Sequence, residues 1–471
     1  IYLKPGRYAR RDKERLSDCD NCGACVCGAD QECKSGAAAP NGTGCYLVDA
    51  ELELFPVYPN NTIQIVGAGE TPAEVIIDGG TRECFNDPFS ADCTTTARSA
   101  NVGPIFQYTG ADDVRGKTDC QTVGARKAYC SQQPYMAQSS YGTRNLIANL
   151  TMLRTPARNP STGSRYPTIQ LQNGSNLVVQ DTIFDYGDST GAPSLAAITT
   201  DSEMVVDRMT IRRTPTAKLI GATAQGRFYG NAMSVFNSSV GQTASGVSHR
   251  RAFFEASGPG TVMHLENSVF ANNAASIMQV GNAAKGLMMH CSVANLDSGY
   301  AVLVESGSLQ TTVVNNAFYQ LRQTPSTNDG GGGLFLRKNW SNLSVRNNLF
   351  YKMDEASGGR AAVVYDGANN IQNLYTPVSM DAYATPSFGS GNFEADPKFL
   401  SPGNNNLTLT DGSQCVKENS GVNGSYDYCF DLFEDWGPII PACPEKDRIG
   451  TQRSNRGISP DIGAFESLVD P

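Results

Sequence analysis

A short phrase recurs along this chain, and it constrains the fold more than any other feature. A polar pair, usually containing Asn or Asp, is followed by an apolar residue and an aromatic one. It reads Gln180-Asp181-Thr182-Ile183-Phe184, Glu266-Asn267-Ser268-Val269-Phe270, Asn315-Asn316-Ala317-Phe318 and Arg346-Asn347-Asn348-Leu349-Phe350. Weaker copies end near Leu153, Ile211, Phe236 and Leu296, so the end points advance in irregular steps in the twenties and thirties. One coil of a parallel β-helix takes about two dozen residues, with insertions landing in loops. A single coil cannot bury its own apolar side chains, whereas stacked coils build one continuous core. Asp181, Asn267, Asn315 and Asn347 share the slot three residues before Phe. Stacking predicts a turn there, because Asn and Asp tolerate the left-handed region and bond to neighbouring backbone. The same slot is expected to form a hydrogen-bonded ladder, with the Phe residues stacked inside.

The rest of the chain agrees. From about residue 145 it reads as short β segments separated by turn residues, without helix-length periodicity. Tight two-residue hairpin signals are scarce, which disfavours an antiparallel sandwich. Among 471 residues, 40% are hydrophobic, 18% are charged and 47 are Gly. That composition excludes a coiled coil and global disorder. The fold class is therefore all-β: a right-handed parallel β-helix solenoid with disulfide-rich loop insertions.

Fourteen Cys set the compartment. Cys19, Cys22, Cys25, Cys27, Cys33 and Cys45 crowd into one stretch; Cys84, Cys93, Cys120 and Cys130 form a second group; Cys415, Cys429 and Cys443 lie near the end. The CxxC pairs overlap with no His nearby, and two zinc-holding pairs normally lie further apart to span a tetrahedron. These thirteen are read as disulfide-bonded, with connectivity left open, and Cys291 stands alone. Asn-x-Ser/Thr acceptors occur at Asn41, Asn60, Asn149, Asn173, Asn237, Asn339, Asn342, Asn406 and Asn423. Together the two patterns predict an extracellular or cell-surface glycoprotein.

The net charge of −9 disfavours nucleic acid as a partner. No apolar run reaches the roughly 18 residues of a membrane span. The chain starts at Ile1 without a signal-type apolar segment and reads as a processed or trimmed product. Residues 1–15 hold six Lys and Arg against two acids, and residues 391–471 hold thirteen acids against six bases. Opposite-sign ends suit head-to-tail self-association, the alternative being two solvated faces.

Ile1-Tyr2-Leu3-Lys4-Pro5-Gly6-Arg7-Tyr8 resembles the opening coil of pectin-lyase-like β-helix proteins. Thr62-Ile63-Gln64-Ile65-Val66-Gly67 and Val75-Ile76-Ile77-Asp78-Gly79-Gly80 resemble their next coil. Asp396-Pro397-Lys398-Phe399, Asn406-Leu407-Thr408-Leu409 and Asp461-Ile462-Gly463-Ala464-Phe465-Glu466 resemble the closing segment of secreted β-helix-repeat proteins. The resemblance implies a first coil at 1–16, a Cys-rich insertion at 17–50 and a second coil at 51–80. It places a disulfide-stapled insertion at 81–144, central coils at 145–400 and a closing segment with a Cys-rich loop at 401–471. Gly330–Gly333 reads as a flexible loop tip.

Such a scaffold hosts many functions, so function has to come from a site. The N-T-D, D-D and G-H-G phrases of the family's hydrolases are absent, as is the D-P-H-D phrase of its epimerases. Gln180-Asp181-Thr182-Ile183-Phe184 only superficially matches the esterase phrase. The best enzymatic patch holds Asp201, Asp207, Arg208, Arg212, Arg213, Lys218, Arg227, His249, Arg250 and Arg251. An Arg or Lys over acid-bound Ca²⁺ would suit a lyase; the plainer reading is surface salt bridges. His264 and His290, 26 apart, could stack on one sheet and bind a metal or act as acid and base, but their apolar neighbours favour partly buried structural histidines. Cys291 reads as a buried thiol or the partner of a distant Cys rather than a nucleophile. Tyr135, Tyr141 and Tyr166 offer a weak aromatic cleft. The leading expectation is a non-catalytic, glycosylated subunit of a surface fibre, sheath or coat, without catalytic, metal or cofactor sites. It would partner itself or other extracellular structural proteins. Second comes a secreted lyase or hydrolase of an anionic polysaccharide, with Ca²⁺ if a lyase; third, a glycan-binding adhesin.

Overall fold

The computed structural model describes residues 1–10, 15–18, 21–23, 26–27, 31–35, 43–47, 56–57, 63–81, 105–109, 145–153, 167–185, 195–214, 218–238, 252–297, 299–322, 331–352, 360–365, 371–383, 388–410, 413, 415, 447–449 and 463–465. They form a parallel β-helix. A 20-stranded sheet carries two strands from each coil and an 11-stranded sheet carries the third. Each coil thus has three faces. The first runs through Gln64–Gly67, Leu146–Ala148 and Arg227–Asn231 to Asn342–Arg346. The second, after a corner, runs from Gly6–Arg10 through Thr151–Leu153 to Leu349–Tyr351. The third runs from Pro56–Val57 through Phe106–Thr109 to Ala362–Tyr365.

The register explains the repeated phrase. On the second face Tyr8, Ile77, Met152, Phe184, Ile211, Val235, Phe270, Val293, Phe318 and Phe350 pair successively, one per coil. They form one inward row, and Phe184, Phe270, Phe318 and Phe350 are fully buried in it. The weak copies were therefore displaced: Met152 and Val235 occupy the row one residue before Leu153 and Phe236, and Val293 lies three before Leu296. Aliphatic residues fill an inward slot as well as aromatics, so the aromatic marker drops out there.

Three residues before that row the backbone turns left-handed at Asn149, Asp181, Arg208, Ala232, Asn267, His290, Asn315 and Asn347, and at Gly391 beyond. The expected turn slot is thus continuous through every coil from Asn149 to Gly391, even where the residue is not Asn. The hydrogen-bonded ladder lies one residue later. Cys291 N donates to Asn316 Oδ1 (2.8 Å), Asn316 N to Asn348 Oδ1 (3.0 Å) and Asn348 N to Asn392 Oδ1 (3.0 Å). The left-handed residue aims the following side chain inward, so the buried amides are those of Asn316, Asn348 and Asn392. Asn392 N in turn donates to Asp381 Oδ2 at 2.9 Å, at the end of the short helix Pro377–Asp381.

That helix belongs to a cap. Ile371–Leu374 pairs antiparallel with Ala362–Tyr365, ending the third face. Pro377 and Met380 are buried beneath the helix. The final segment then returns along the outside of the second face. Phe399–Ser401 and Asn406–Leu409 form an antiparallel pair. Phe399, Leu407, Cys415, Ala464 and Phe465 pack on the outward-facing Val269, Ala271, Ala294, Ala317 and Leu349. Gly463 N donates to Asn315 O (2.9 Å) and Ala464 N to Ser292 Oγ (3.0 Å). The half-buried Arg448 guanidinium donates to Met233 O and Ser234 Oγ, and desolvation pulls its pKa down to about 10.

The early Cys-rich block departs from the solenoid. Arg15–Asp18, Gln31–Lys34 and Gly44–Leu47 form a three-stranded antiparallel sheet. Disulfides join Cys22 to Cys33 and Cys27 to Cys45. Two expected boundaries shift. Pro56–Val57 completes the first coil rather than opening the second, and Phe106–Thr109 is a solenoid strand inside the span read as insertion. Gly332 and Gly333 are not a loop tip; they open the buried strand Gly332–Arg337. A Cβ at either would come within 2.5 Å of Arg360 O or Ala361 O, so glycine serves close approach between coils. Cys19, Cys25, Cys84, Cys93, Cys120, Cys130, Cys429 and Cys443 lie outside the described residues. Among the described residues, no helix is long and apolar enough to cross a membrane.

Candidate functional site

Among the described residues, a dense gathering of polar side chains lies on the outer side of the first face, next to the left-handed corner. Alternate residues of a strand point to one side, so the register fixes who meets whom. Gln180, Asp207, Asn231, Glu266 and Met289 stack coil on coil. Two residues earlier the row reads Val178, Val205, Tyr229, His264 and Leu287. Asp181 and Arg208 extend the first row at the corner, because their left-handed backbone turns them outward beside it.

The contacts are dense. Asn231 Nδ2 donates to Asp207 Oδ1 (2.9 Å), and Asn267 Nδ2 donates to Asn231 Oδ1 (3.1 Å). Tyr229 Oη donates to Glu266 Oε1. His264 Nε2 lies 3.1 Å from Glu266 Oε2, and its ring meets the Tyr229 ring edge-on at 4.7 Å. Arg208 forks onto Asp181 with Nε–Oδ1 2.6 Å and Nη2–Oδ2 2.9 Å, and its third nitrogen reaches Asp207. Glu266, His264 and Tyr229 are only 1–2% exposed, whereas the Asp181 and Arg208 side chains are nearly half exposed.

Burial raises the pKa of Asp207. Arg208 and the Asn231 amide pull it back, while the charges of Asp181 and Glu266 add to the rise. Chemically, the row joins a carboxyl with raised proton affinity to two further carboxylates and one guanidinium. A divalent cation would need several carboxylate oxygens turned to one point. Here Arg208 takes both Asp181 oxygens, Arg208 and Asn231 take those of Asp207, and Tyr229 takes one oxygen of Glu266, whose other oxygen faces His264 Nε2. Among the described residues, no three His, Cys, Asp or Glu side chains are grouped to hold a metal ion.

The expected patch is thus divided. Asp207 and Arg208 belong to the row. Arg212 and Arg213 both pair with the buried Asp185, with Nε–O distances of 2.9 Å. Lys218 pairs with Glu255 on the third face. Asp201 sits in a left-handed turn, and Arg227 starts a strand beside Val262. His249, Arg250, Arg251, Tyr135, Tyr141 and Tyr166 lie outside the described residues. The two histidines do not stack, and both are buried. Val262 pairs with Lys285, so His264 lies beside Leu287, and His290 falls three residues further on, at the corner. Cys291 is buried in the core, its thiol 3.3 Å from Met289 O and 3.6 Å from Leu265 O.

Sequence reasoning missed Tyr229 and Glu266. The available signal was Glu266 opening the phrase Glu266-Asn267-Ser268-Val269-Phe270, in the position that Gln180 holds in its own copy. No protein-family model matches the chain, and no curated protein matches it.

Proposed function

We propose that this chain is an extracellular, glycosylated, non-catalytic rod that serves as a subunit of a surface fibre, sheath or coat. One observation supports this reading above the others: among the described residues, the charges of the candidate patch are largely spent on neighbouring acids. Arg208 holds Asp181 and Asp207, Arg212 and Arg213 hold Asp185, Lys218 holds Glu255 and Arg337 holds Glu305. Neighbouring coils are thereby cross-linked, and the buried Glu266 is enclosed with Tyr229 and His264. A catalytic carboxylate needs access to its substrate; Glu266 has almost none. The capped last coil directs association away from stacking on that end, towards lateral contacts. Electron microscopy of the purified protein at physiological salt tests the reading. Filaments or sheets with a regular lateral repeat are expected, and isolated rods at every concentration overturn it.

Asp207 favours a second reading, a secreted enzyme acting on an anionic polysaccharide. Burial raises the proton affinity of Asp207, and a carboxyl with a raised pKa is what a general acid uses. Release of unsaturated uronates or of reducing ends from a panel of polyuronates, lost in Asp207→Asn, would establish it. No turnover on any of them would remove it.

A further inference from the structure

We propose that the N-linked glycans of this protein sit at Asn237, Asn406 and the Asn339–Asn342 corner, and that Asn149 carries none despite its acceptor sequence. The proposal rests on the extracellular reading above and adds to it which parts of the rod are sugar-coated. All of these asparagines stand in Asn-x-Ser/Thr sequences. The modification joins the side-chain amide nitrogen to the anomeric carbon of an oligosaccharide carried on a polyprenyl diphosphate. The carbon–oxygen bond to the diphosphate breaks, the diphosphate leaves with the bonding pair, and the amide gives up one proton. The product is a bulky hydrated group that has to remain at the surface.

Asn237, Asn339, Asn342 and Asn406 are exposed. Asn339 is a left-handed turn residue (φ 79°) joining the third face to the first, and Asn342 is the first residue of the next strand. Asn237 is a left-handed residue (φ 50°) just past the strand Ser234–Phe236. Asn406 opens the returning strand Asn406–Leu409, next to Asn405, whose Oδ1 accepts from Asn272 Nδ2 at 2.7 Å. Asn237 N donates to Ala271 O, the residue before Asn272, so Asn237 and Asn406 lie on the same edge of the rod.

Asn149 differs in kind. Its Nδ2 donates to Gly67 O (2.9 Å) and Gly69 O (2.8 Å), both in the neighbouring coil. The coils approach so closely there that a Cβ on Gly67 would lie 1.9 Å from Asn149 O. A sugar on that nitrogen would occupy the place of the adjoining coil, so a chain modified there does not close its second coil. These glycans lie on two edges of the rod, one of them beside the capped last coil, where they add to the block on end stacking.

The test uses the full chain secreted from a eukaryotic host with N-glycosylation. Glycans are removed with a peptide-N-glycosidase in ¹⁸O water, and the labelled Asp residues are located by peptide mass spectrometry. Label is expected at Asn237, at Asn406 and at one or both of Asn339 and Asn342, with the Asn149 peptide unlabelled. Label at Asn149, or its absence from Asn237, from Asn406 or from the corner pair, overturns the proposal. Two variants separate sugar from structure. Asn406→Gln is expected to lose one glycan mass at unchanged yield. Asn149→Gln is expected to lose secreted yield with no change in glycan mass per molecule. Isolated rods bearing this glycan pattern would overturn the structural reading alone; regular assemblies glycosylated at Asn149 would overturn this one alone.

Discussion

Asn348 Oδ1 accepts two hydrogen bonds from Asn316, from its backbone N at 3.0 Å and from its Nδ2 at 2.9 Å. Asn348 Nδ2 donates to Val313 O (2.9 Å) and to Asn392 Oδ1 (3.0 Å). One fully buried side chain thus satisfies polar groups in the coils on either side of it. Its volume is close to that of Leu, so Asn348→Leu isolates the polar contribution. The variant strands the Asn316 backbone N–H inside the core, whereas Asn392 Oδ1 keeps the backbone N at 348 as donor; a stranded group costs about 1–3 kcal/mol. A loss of about 2 kcal/mol is expected, read as a lower urea midpoint at unchanged slope. A loss below about 1 kcal/mol would mean that the ladder contributes packing and little else.

Gly391 continues the left-handed corner at φ 66° where the preceding coils place Asn315 and Asn347. A Cβ there would lie 2.4 Å from Asn347 Oδ1, so alanine meets both an unfavourable backbone region and a clash. The backbone term alone costs roughly 1–2 kcal/mol. Gly391→Ala is expected to destabilise by at least that much and to loosen the cap first. Hydrogen exchange should speed up at Asn392 and along the helix Pro377–Asp381 before the central coils respond. Uniform loss of protection along the solenoid would contradict a local role for the corner.

The corner was legible in the sequence because it is a property of single residues. Asn and Asp tolerate a left-handed backbone, so Asp181, Asn267, Asn315 and Asn347 marked it directly, and the row of buried Phe residues followed from spacing. The ladder was displaced by one residue because spacing alone does not say which member of an Asn-Asn pair turns the chain and which points inward. Asn315 does the first and Asn316 the second. The Tyr229–His264–Glu266 cluster was hidden for another reason. Its members come from strands 35 residues apart in sequence, and coil lengths vary with the loops. Only the pairing of Tyr229 with His264 brings them side by side. The glycines at 332 and 333 misled because a glycine run signals a loop and a close backbone approach equally well.

Tyr108 is buried in the main core on the third face, and its hydroxyl finds no hydrogen-bond partner among the described residues. Burial pushes the phenol well above its ordinary pKa, since a phenolate there would be an uncompensated charge. Removing a hydroxyl that has lost its water and gained no protein partner stabilises a fold. Tyr108→Phe keeps the ring and is expected to raise stability by about 1 kcal/mol, seen as a higher urea midpoint. A drop of that size would show that the hydroxyl is satisfied after all.

Asp207 supplies a pH signature with a definite sign. Burial, the largest effect on it, raises its pKa above the ordinary carboxylate value despite Arg208 and Asn231. The folded chain therefore holds this proton to a higher pH than the unfolded chain does. Between the ordinary and the raised value the native state binds more protons, so this group's contribution to stability falls as pH rises through that window. A salt-bridged carboxylate with a lowered pKa would behave in the opposite way. Asp207→Asn removes the titration and keeps an oxygen for Asn231 Nδ2, while Arg208 keeps its two-point hold on Asp181. Urea midpoints of both proteins, compared from about pH 3 to pH 7 to span the carboxylate range, give the test. The wild type should lose ground to the variant as pH rises through the window and then run parallel to it. If the wild type instead gained on the variant with rising pH, the Arg208 pair would outweigh burial, and the second functional reading would lose its proton donor.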